Sequence, residues 1–279
     1  MSWKRNSLPL YQQVPFDIEH LLHRCLEEAA AKLGKGDRVT VFFRADDIGV
    51  VGERFAKLVD LFRRKRIPLT LSVVPAWLTR PRWQQLQGLC GKDQRLWCWT
   101  QHGWRHVNHE PQGKKLEFGP NRAASRKRED LFLGFHRLRN LMGELFVPAF
   151  TPPWNRCDEE TLIALAGLGY KVLSRSLGAQ PPAPATIVEY PVSVDLHTRK
   201  EHDPINGWQN LCEELRENLA RGFCGIMLHH QRMNHEAFDF LDLLLDKLEG
   251  WRYGRLVHFG TLLEEGYEAT NPRVSGVDI

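Results

Sequence analysis

The chain has 279 residues, 42% of them hydrophobic and 26% charged, with 38 Lys and Arg against 34 Asp and Glu. That composition is near the globular average and excludes a wholly disordered chain. The resulting net charge of +4 is too mild over this length to indicate a nucleic-acid partner.

The first predicted helix covers residues 17–33, where Ile18, Leu21, Leu22, Cys25, Leu26 and Ala29 recur at helical spacing before Gly34 and Gly36 stop it. Residues 39–43 are β-branched or aromatic without alternation, which fits a parallel strand buried on both faces. The same alternation continues with helix 53–64, strand 69–74, helix 83–89 and strand 95–100. After a polar loop at 107–120 come helix 122–145, strand 148–150, helix 159–168 and strand 170–173. A proline-rich loop at 180–185 leads to an extended piece at 187–196, helix 208–221, strand 223–228, helix 236–249 and a strand at 256–259. Strands alternating with helices predict βα units and a mainly parallel sheet, and seven or eight units favour a single-domain distorted (β/α)7-type barrel. The expected division is an N-terminal extension and helix at 1–36, a barrel at 37–265 and a tail at 266–279. The basic runs at 63–66 and at Arg122 with 126–128 read as solvated helix faces.

Cys25, Cys90, Cys98, Cys157, Cys212 and Cys224 lie far apart with no C-x-x-C pair, the pattern of reduced thiols. Residues 1–13 lack a signal-peptide core, and no stretch approaches the roughly 18 apolar residues of a membrane span. The expectation is a cytoplasmic protein with no membrane span; the oligomeric state is left open.

Polar residues collect where the strands stop: Asp46 and Asp47, His102 and His106, residues 151–154, Asp195, and His229 and His230. In α/β folds the carboxyl ends of strands line the active-site face. Neighbouring residues at a strand end point to different sides, so one of the two aspartates can bind a metal while the other faces water, unless both serve a turn or cap. Two histidines four apart converge on one side, and imidazole nitrogens suit divalent ions such as zinc; His109 is a rival ligand. Two histidines plus one carboxylate leave coordination positions open, as catalytic metal sites do. His229 or His230 suits a general acid, and Trp104 and Trp154 lie beside the motifs as stacking faces for a sugar ring, with core packing as the alternative. No G-x-S-x-G elbow or phosphate-binding P-loop is present.

These motifs together resemble the polysaccharide deacetylase (NodB-homology) family, carbohydrate esterase family 4, over residues 39–259. Arg44-Ala45-Asp46-Asp47 is similar to its T-F-D-D-G motif, His102 to His106 to its H-x-x-x-H, Thr151-Pro152-Pro153-Trp154 to its R-P-P-[YW], and Leu228-His229 to its closing L-H. The resemblance implies one divalent ion, taken as Zn2+, held by Asp47, His102 and His106. It makes Asp46 the base for the water on that ion, His229 (or His230 after a register slip) the acid, and the backbone N–H near Trp154 an oxyanion donor. Two positions depart from it. Thr151 replaces the arginine that orients the base, and Arg44 is the candidate substitute. No acidic residue is evident at Leu173-Ser174-Arg175 to tune the catalytic histidine, and Asp195 is the candidate there. The function implied is hydrolysis of N-acetyl or N-formyl amides on a carbohydrate-type small-molecule or lipid-linked substrate. The alternatives are a non-catalytic member that binds a carbohydrate or partner, an amidohydrolase of small cyclic amides, and a metal-free amidohydrolase in which Asp46 works without an ion.

Overall fold

The computed structural model describes residues 8–268; residues 1–7 of the expected extension and 269–279 of the expected tail lie outside the described residues. Strands β1 (Val39–Ile48), β2 (Leu69–Val73), β3 (Trp97–His102), β4 (Phe146–Thr151) and β5 (Val172–Leu173) follow one another. Then come β6 (Val188–Glu189), β7 (Val194–Asp195), β8 (Phe223–Leu228) and β9 (Gly254–Val257). Their spatial order is β6-β5-β4-β3-β2-β1-β8-β7, and every pairing is parallel. Strand β9 borders the first half of β1, and β2 borders the second.

The run at 188–195 joins the two ends of this order. Its first part pairs with β5 and its last with β8, with a bridge between Ser176 and Val192 in the middle. One extended segment thus completes a distorted seven-stave α/β barrel, in agreement with the expected fold class. Helices α1 (Ile18–Ala30), α2 (Glu53–Lys65), α3 (Arg80–Cys90) and α4 (Ala124–Met142) pack outside it, as do α5 (Glu159–Gly167), α6 (Pro204–Ala220) and α7 (His235–Glu249). The helix α8 (Phe259–Glu264), which was not expected, begins where a strand at 256–259 was predicted to end.

Two-residue alternation sorts the interior into layers. Phe42, Cys98, Ala149, Val172 and Tyr190 pack with Phe259 and Leu262 of α8 in one apolar cluster that forms the barrel floor. Gly225 makes room there, because a Cβ would lie 2.3 Å from the Phe42 ring. Two residues further along the strands come Arg44, Thr100, Thr151 and Ser174, all fully buried. The hydroxyl of Ser72, also fully buried, lies 3.2 Å from Thr100 Oγ1 and 3.3 Å from Thr151 Oγ1, so this polar belt satisfies itself. Two residues beyond Arg44 and Thr100, Asp46 and His102 reach the rim. A larger apolar cluster fills the space between the sheet and helices α1, α2, α3, α6 and α7.

One reading of the charge runs needs correction. Lys65 closes α2 in ion pairs with Asp242 and Asp246, but Lys127 is not on a solvated face. Its side chain is 1% exposed, and its ammonium pairs with Asp158 and Glu160. A buried cation persists only with such partners. Among the described residues no helix is long and apolar enough to cross a membrane.

Candidate metal and catalytic site

Strand β1 extends past the apolar run into both aspartates. The β1–β2 register shifts between Ala45 and Ile48, and Asp47 takes a left-handed backbone (φ 62°). That irregularity re-aims the second carboxylate, since an unbroken strand would turn neighbouring side chains to opposite faces. His106, Trp154 and Asn155 are left-handed too, with φ of 60°, 57° and 60°. Four of the five non-glycine residues with positive φ among those described therefore sit in these motifs, where backbone strain of about 1–3 kcal/mol each is held by the surroundings.

The loop from His102 to His106 is fixed from two sides. Glu117 accepts hydrogen bonds from the N–H of Trp104 (3.0 Å) and of Arg105 (2.7 Å). Gly103 has φ 55°, and a Cβ there would lie 2.2 Å from Glu117 Oε2 and 2.6 Å from Pro153, so only glycine fits. His102 Nδ1–H donates to the Thr151 carbonyl at 3.1 Å, which leaves the lone pair on Nε2.

Asp47, His102 and His106 each present one ligand atom, and these atoms lie within 4.8 Å of one another. Asp47 Oδ1 stands 3.3 Å from His102 Nε2 and 3.2 Å from His106 Nε2. Despite that proximity, Asp47 Oδ1 and His102 Nε2 are buried without a hydrogen-bond partner. Orphaned buried polar atoms are costly, and two imidazole nitrogens with one carboxylate oxygen are a donor set a divalent ion fits. Burial alone would raise the Asp47 carboxyl, but the imidazoles of His102, His229 and His106 outweigh it and hold it below the usual carboxylate range. Burial pushes His106 down, with help from His102. His102 is held up against its burial by Asp46 and Asp47.

Asp46 is 2% exposed and bound in a fork by Arg44, whose Nε donates to Oδ1 and Nη2 to Oδ2, both at 2.8 Å. Arg44 also donates to Ser174 O (3.0 Å), Ser174 Oγ (2.7 Å) and Asn155 Oδ1 (2.7 Å). Burial would raise the Asp46 carboxyl; the Arg44 guanidinium, then His102 and His229, overcome it and hold it low.

At the end of β8 the two histidines part. His229 is half-buried and close enough that its charge bears on both Asp46 and Asp47. His230 is buried edge-on against Phe55, at 5.4 Å between centroids, and burial lowers its pKa to about 4. It belongs to the packing under α2.

Trp154 stands against the His106 ring at 4.6 Å, with Trp77 at 6.0 Å. Trp104, expected beside the substrate, is packed instead with Phe118, Phe150 and Leu162. Asp195 is also placed otherwise than expected: its carboxylate accepts from the N–H of His197 and Thr198 and from the Thr198 hydroxyl, closing its own turn. From that turn it is His197 that reaches His229, its Nδ1 accepting the His229 backbone N–H at 3.1 Å. His109 lies outside the clustered ligand atoms. Sequence reasoning missed Asn155, Ser174, Glu117 and His197. Asn155 alone carried a local signal, as an asparagine tolerant of left-handed backbone next to the P-P-W motif.

No family model matches the chain, and no curated protein matches it in sequence. Solved structures do match in shape. A Mycobacterium smegmatis protein classed as a polysaccharide deacetylase aligns at 14% identity and TM-score 0.59, covering 84% of this chain and 92% of its own. A family 4 acetyl xylan esterase from Clostridium thermocellum, solved with a cobalt ion, aligns at 14% identity and TM-score 0.52, covering 84% and 95%. A mutant of a family 4 pseudoenzyme from Bacillus anthracis aligns at 11% identity and TM-score 0.50, covering 83% and 69%. The fold of this chain is the one that polysaccharide deacetylases and family 4 carbohydrate esterases share.

Proposed function

We propose that the protein is a metal-dependent hydrolase that removes N-acetyl or N-formyl groups from a sugar or sugar-derived substrate, soluble or lipid-linked. The observation that carries the reading is the pair of buried, unpartnered ligand atoms on Asp47 and His102 facing His106 Nε2, next to an arginine-clamped Asp46. Asp47, His102 and His106 would hold the ion, and Zn2+ suits their donor set. An ion there would lower the pKa of a bound water toward about 7, which a base as weak as an arginine-paired carboxylate requires.

Arg44, then His102 and His229, hold the Asp46 carboxyl below its usual range against the effect of its burial. Both its oxygens already accept from Arg44, and a carboxylate oxygen has a further lone pair with which to take a proton. Arg44 thereby does from β1 what the resemblance assigns to an arginine at the position of Thr151. His229 delivers a proton to the departing nitrogen, and its main chain is anchored by the N–H bond to His197. The turn after β4 uses the N–H of Asn155 and Arg156 for its own hydrogen bonds, which leaves the Trp154 N–H for the oxyanion. The Trp154 ring beside His106 offers a face for the sugar.

The test joins metal analysis to acetate or formate release from N-acylated sugars. Asp47→Ala, His102→Ala and His106→Ala are each expected to lose the ion, whereas Asp46→Asn keeps it and loses turnover. Near-full activity of Asp46→Asn would overturn the assignment. The replacement at Thr151 and the likeness to a pseudoenzyme favour a second reading, a binding protein on the same fold. A loaded protein that binds such sugars and turns none over would establish it.

A further inference from the structure

Away from the barrel mouth, a cavity of about 890 Å³ opens between α1, α6 and the segment before α1. Phe16, Leu21, Trp208, Arg24, Cys25 and Cys212 are among its walls. Cys25 comes from α1 and Cys212 from α6, and the Cys25 thiol reaches the Cys212 carbonyl at 3.6 Å although 187 positions separate them in sequence. Cys212 is half-buried, so the cavity gives solutes access to it, while Cys25 lies deeper.

Cys212 is also unlike the other cysteines electrostatically. Cys90, Cys98, Cys157 and Cys224 are buried, and burial pushes each up to about 12. Cys212 is displaced the other way: the neighbouring Cys25 side chain, with the charges of Arg24 and Arg199, lowers it against the effect of its burial. The Cys212 side chain and burial raise Cys25. The more accessible Cys212 is thus the sulfur a solute meets first, and the buried Cys25 against its main chain is placed to resolve, the arrangement reactive cysteine pairs use.

We infer that Cys212 and Cys25 form a peroxide-reactive dithiol that closes a disulfide between α1 and α6. The Cys212 thiolate attacks a hydroperoxide; a sulfur–oxygen bond forms, the oxygen–oxygen bond breaks, and the leaving hydroxide (or alkoxide) takes up a proton. The Cys25 sulfur then gives up its proton and attacks the sulfenic sulfur. The sulfur–sulfur bond forms as the sulfur–oxygen bond breaks, and the second oxygen leaves as water. Two thiols and one peroxide give one disulfide, with two waters when the oxidant is hydrogen peroxide. A disulfide needs Cβ atoms about 3.8 Å apart, a spacing set by the two helix backbones; with the Cys25 sulfur 3.6 Å from the Cys212 carbonyl, side-chain rotation aligns the sulfurs and a local approach of α1 and α6 closes the bond.

The experiment treats the full-length protein with hydrogen peroxide, blocks free thiols after unfolding, and maps the peptides. The expected result is loss of two hydrogens in mass and a peptide joining Cys25 to Cys212, together with a higher denaturation midpoint that reducing agent reverses. In Cys25→Ser the sulfenic acid persists on Cys212 and is trapped by a dimedone probe; in Cys212→Ser no cross-link forms and Cys25 stays free. Both thiols still free for alkylation after oxidation of the wild type would overturn the inference, as would a cross-link that maps to any other pair. The wild-type map decides the matter even if either variant fails to fold.

Discussion

Replacing Arg44 by methionine tests whether the buried fork with Asp46 organises the site. The arginine is fully buried and Asp46 nearly so, and the two bonds between them are both 2.8 Å. Removing one member of such a pair leaves an uncompensated charge in a dry place and costs about 3–5 kcal/mol. Ser174 O and Asn155 Oδ1 lose a donor as well, which places the expectation at the upper end of that range. Urea denaturation at pH 7 reads the loss. The pH dependence has a definite sign. In the wild type the Asp46 pKa is depressed, so its share of stability is present above the unfolded carboxylate value and disappears as pH falls through the folded one. In Arg44→Met, burial prevails and raises the Asp46 pKa, so that variant gains by holding the proton as pH drops. The gap between the two proteins is widest at neutral pH and narrows as pH falls from the variant's raised Asp46 value through the depressed wild-type one. A double variant, Arg44→Met with Asp46→Leu, removes the stranded charge and recovers most of the loss. A neutral-pH loss below about 1 kcal/mol, or a gap that does not change with pH, would refute the reasoning.

Two further outcomes follow from the geometry. Gly103→Ala would force a Cβ into Glu117 and Pro153 at a left-handed residue, and we expect at least about 2–3 kcal/mol of destabilisation by thermal or urea unfolding; wild-type stability would show that the loop gives way. Trp154→Leu, by removing the ring beside His106, is expected to raise KM for a sugar substrate several-fold while metal content stays constant; Trp104→Leu, in the apolar cluster, is expected to lower the melting temperature instead. The reverse pattern in steady-state kinetics and melting curves would exchange their roles.

Much of the architecture was legible because periodicity reports burial. The predicted strand at 223–228 matches β8, and the helices predicted at 53–64 and 236–249 match α2 and α7 to within a residue. The errors have particular causes. Helix α6 starts four residues before its predicted apolar stripe, since Asp203 caps it and Pro204 opens it in a first turn whose apolar residue, Ile205, faces solvent. Strand β1 was predicted to stop at Phe43 because charged residues follow, yet Arg44 and Asp46 neutralise each other inside the barrel and the strand continues. The extended piece at 187–196 was seen, but its division between two partners depends on a closure no local pattern encodes. At the site, adjacent carboxylates and histidines four apart were visible as chemistry at strand ends. The link from His197 to His229 was not, because it joins residues 32 positions apart through a backbone amide. Asp195 and Trp104 were placed by type, and a local turn and an apolar cluster claimed them.

The left-handed residues at 47, 106, 154 and 155 have a consequence for anyone wishing to move this chemistry elsewhere. Transplanting the side chains onto an idealised scaffold with unkinked staves would deliver the right functional groups on the wrong vectors. The portable unit is the trio of bent main-chain segments together with the glycine and glutamate that brace one of them, and a designer would have to copy those coordinates before choosing a single reactive atom.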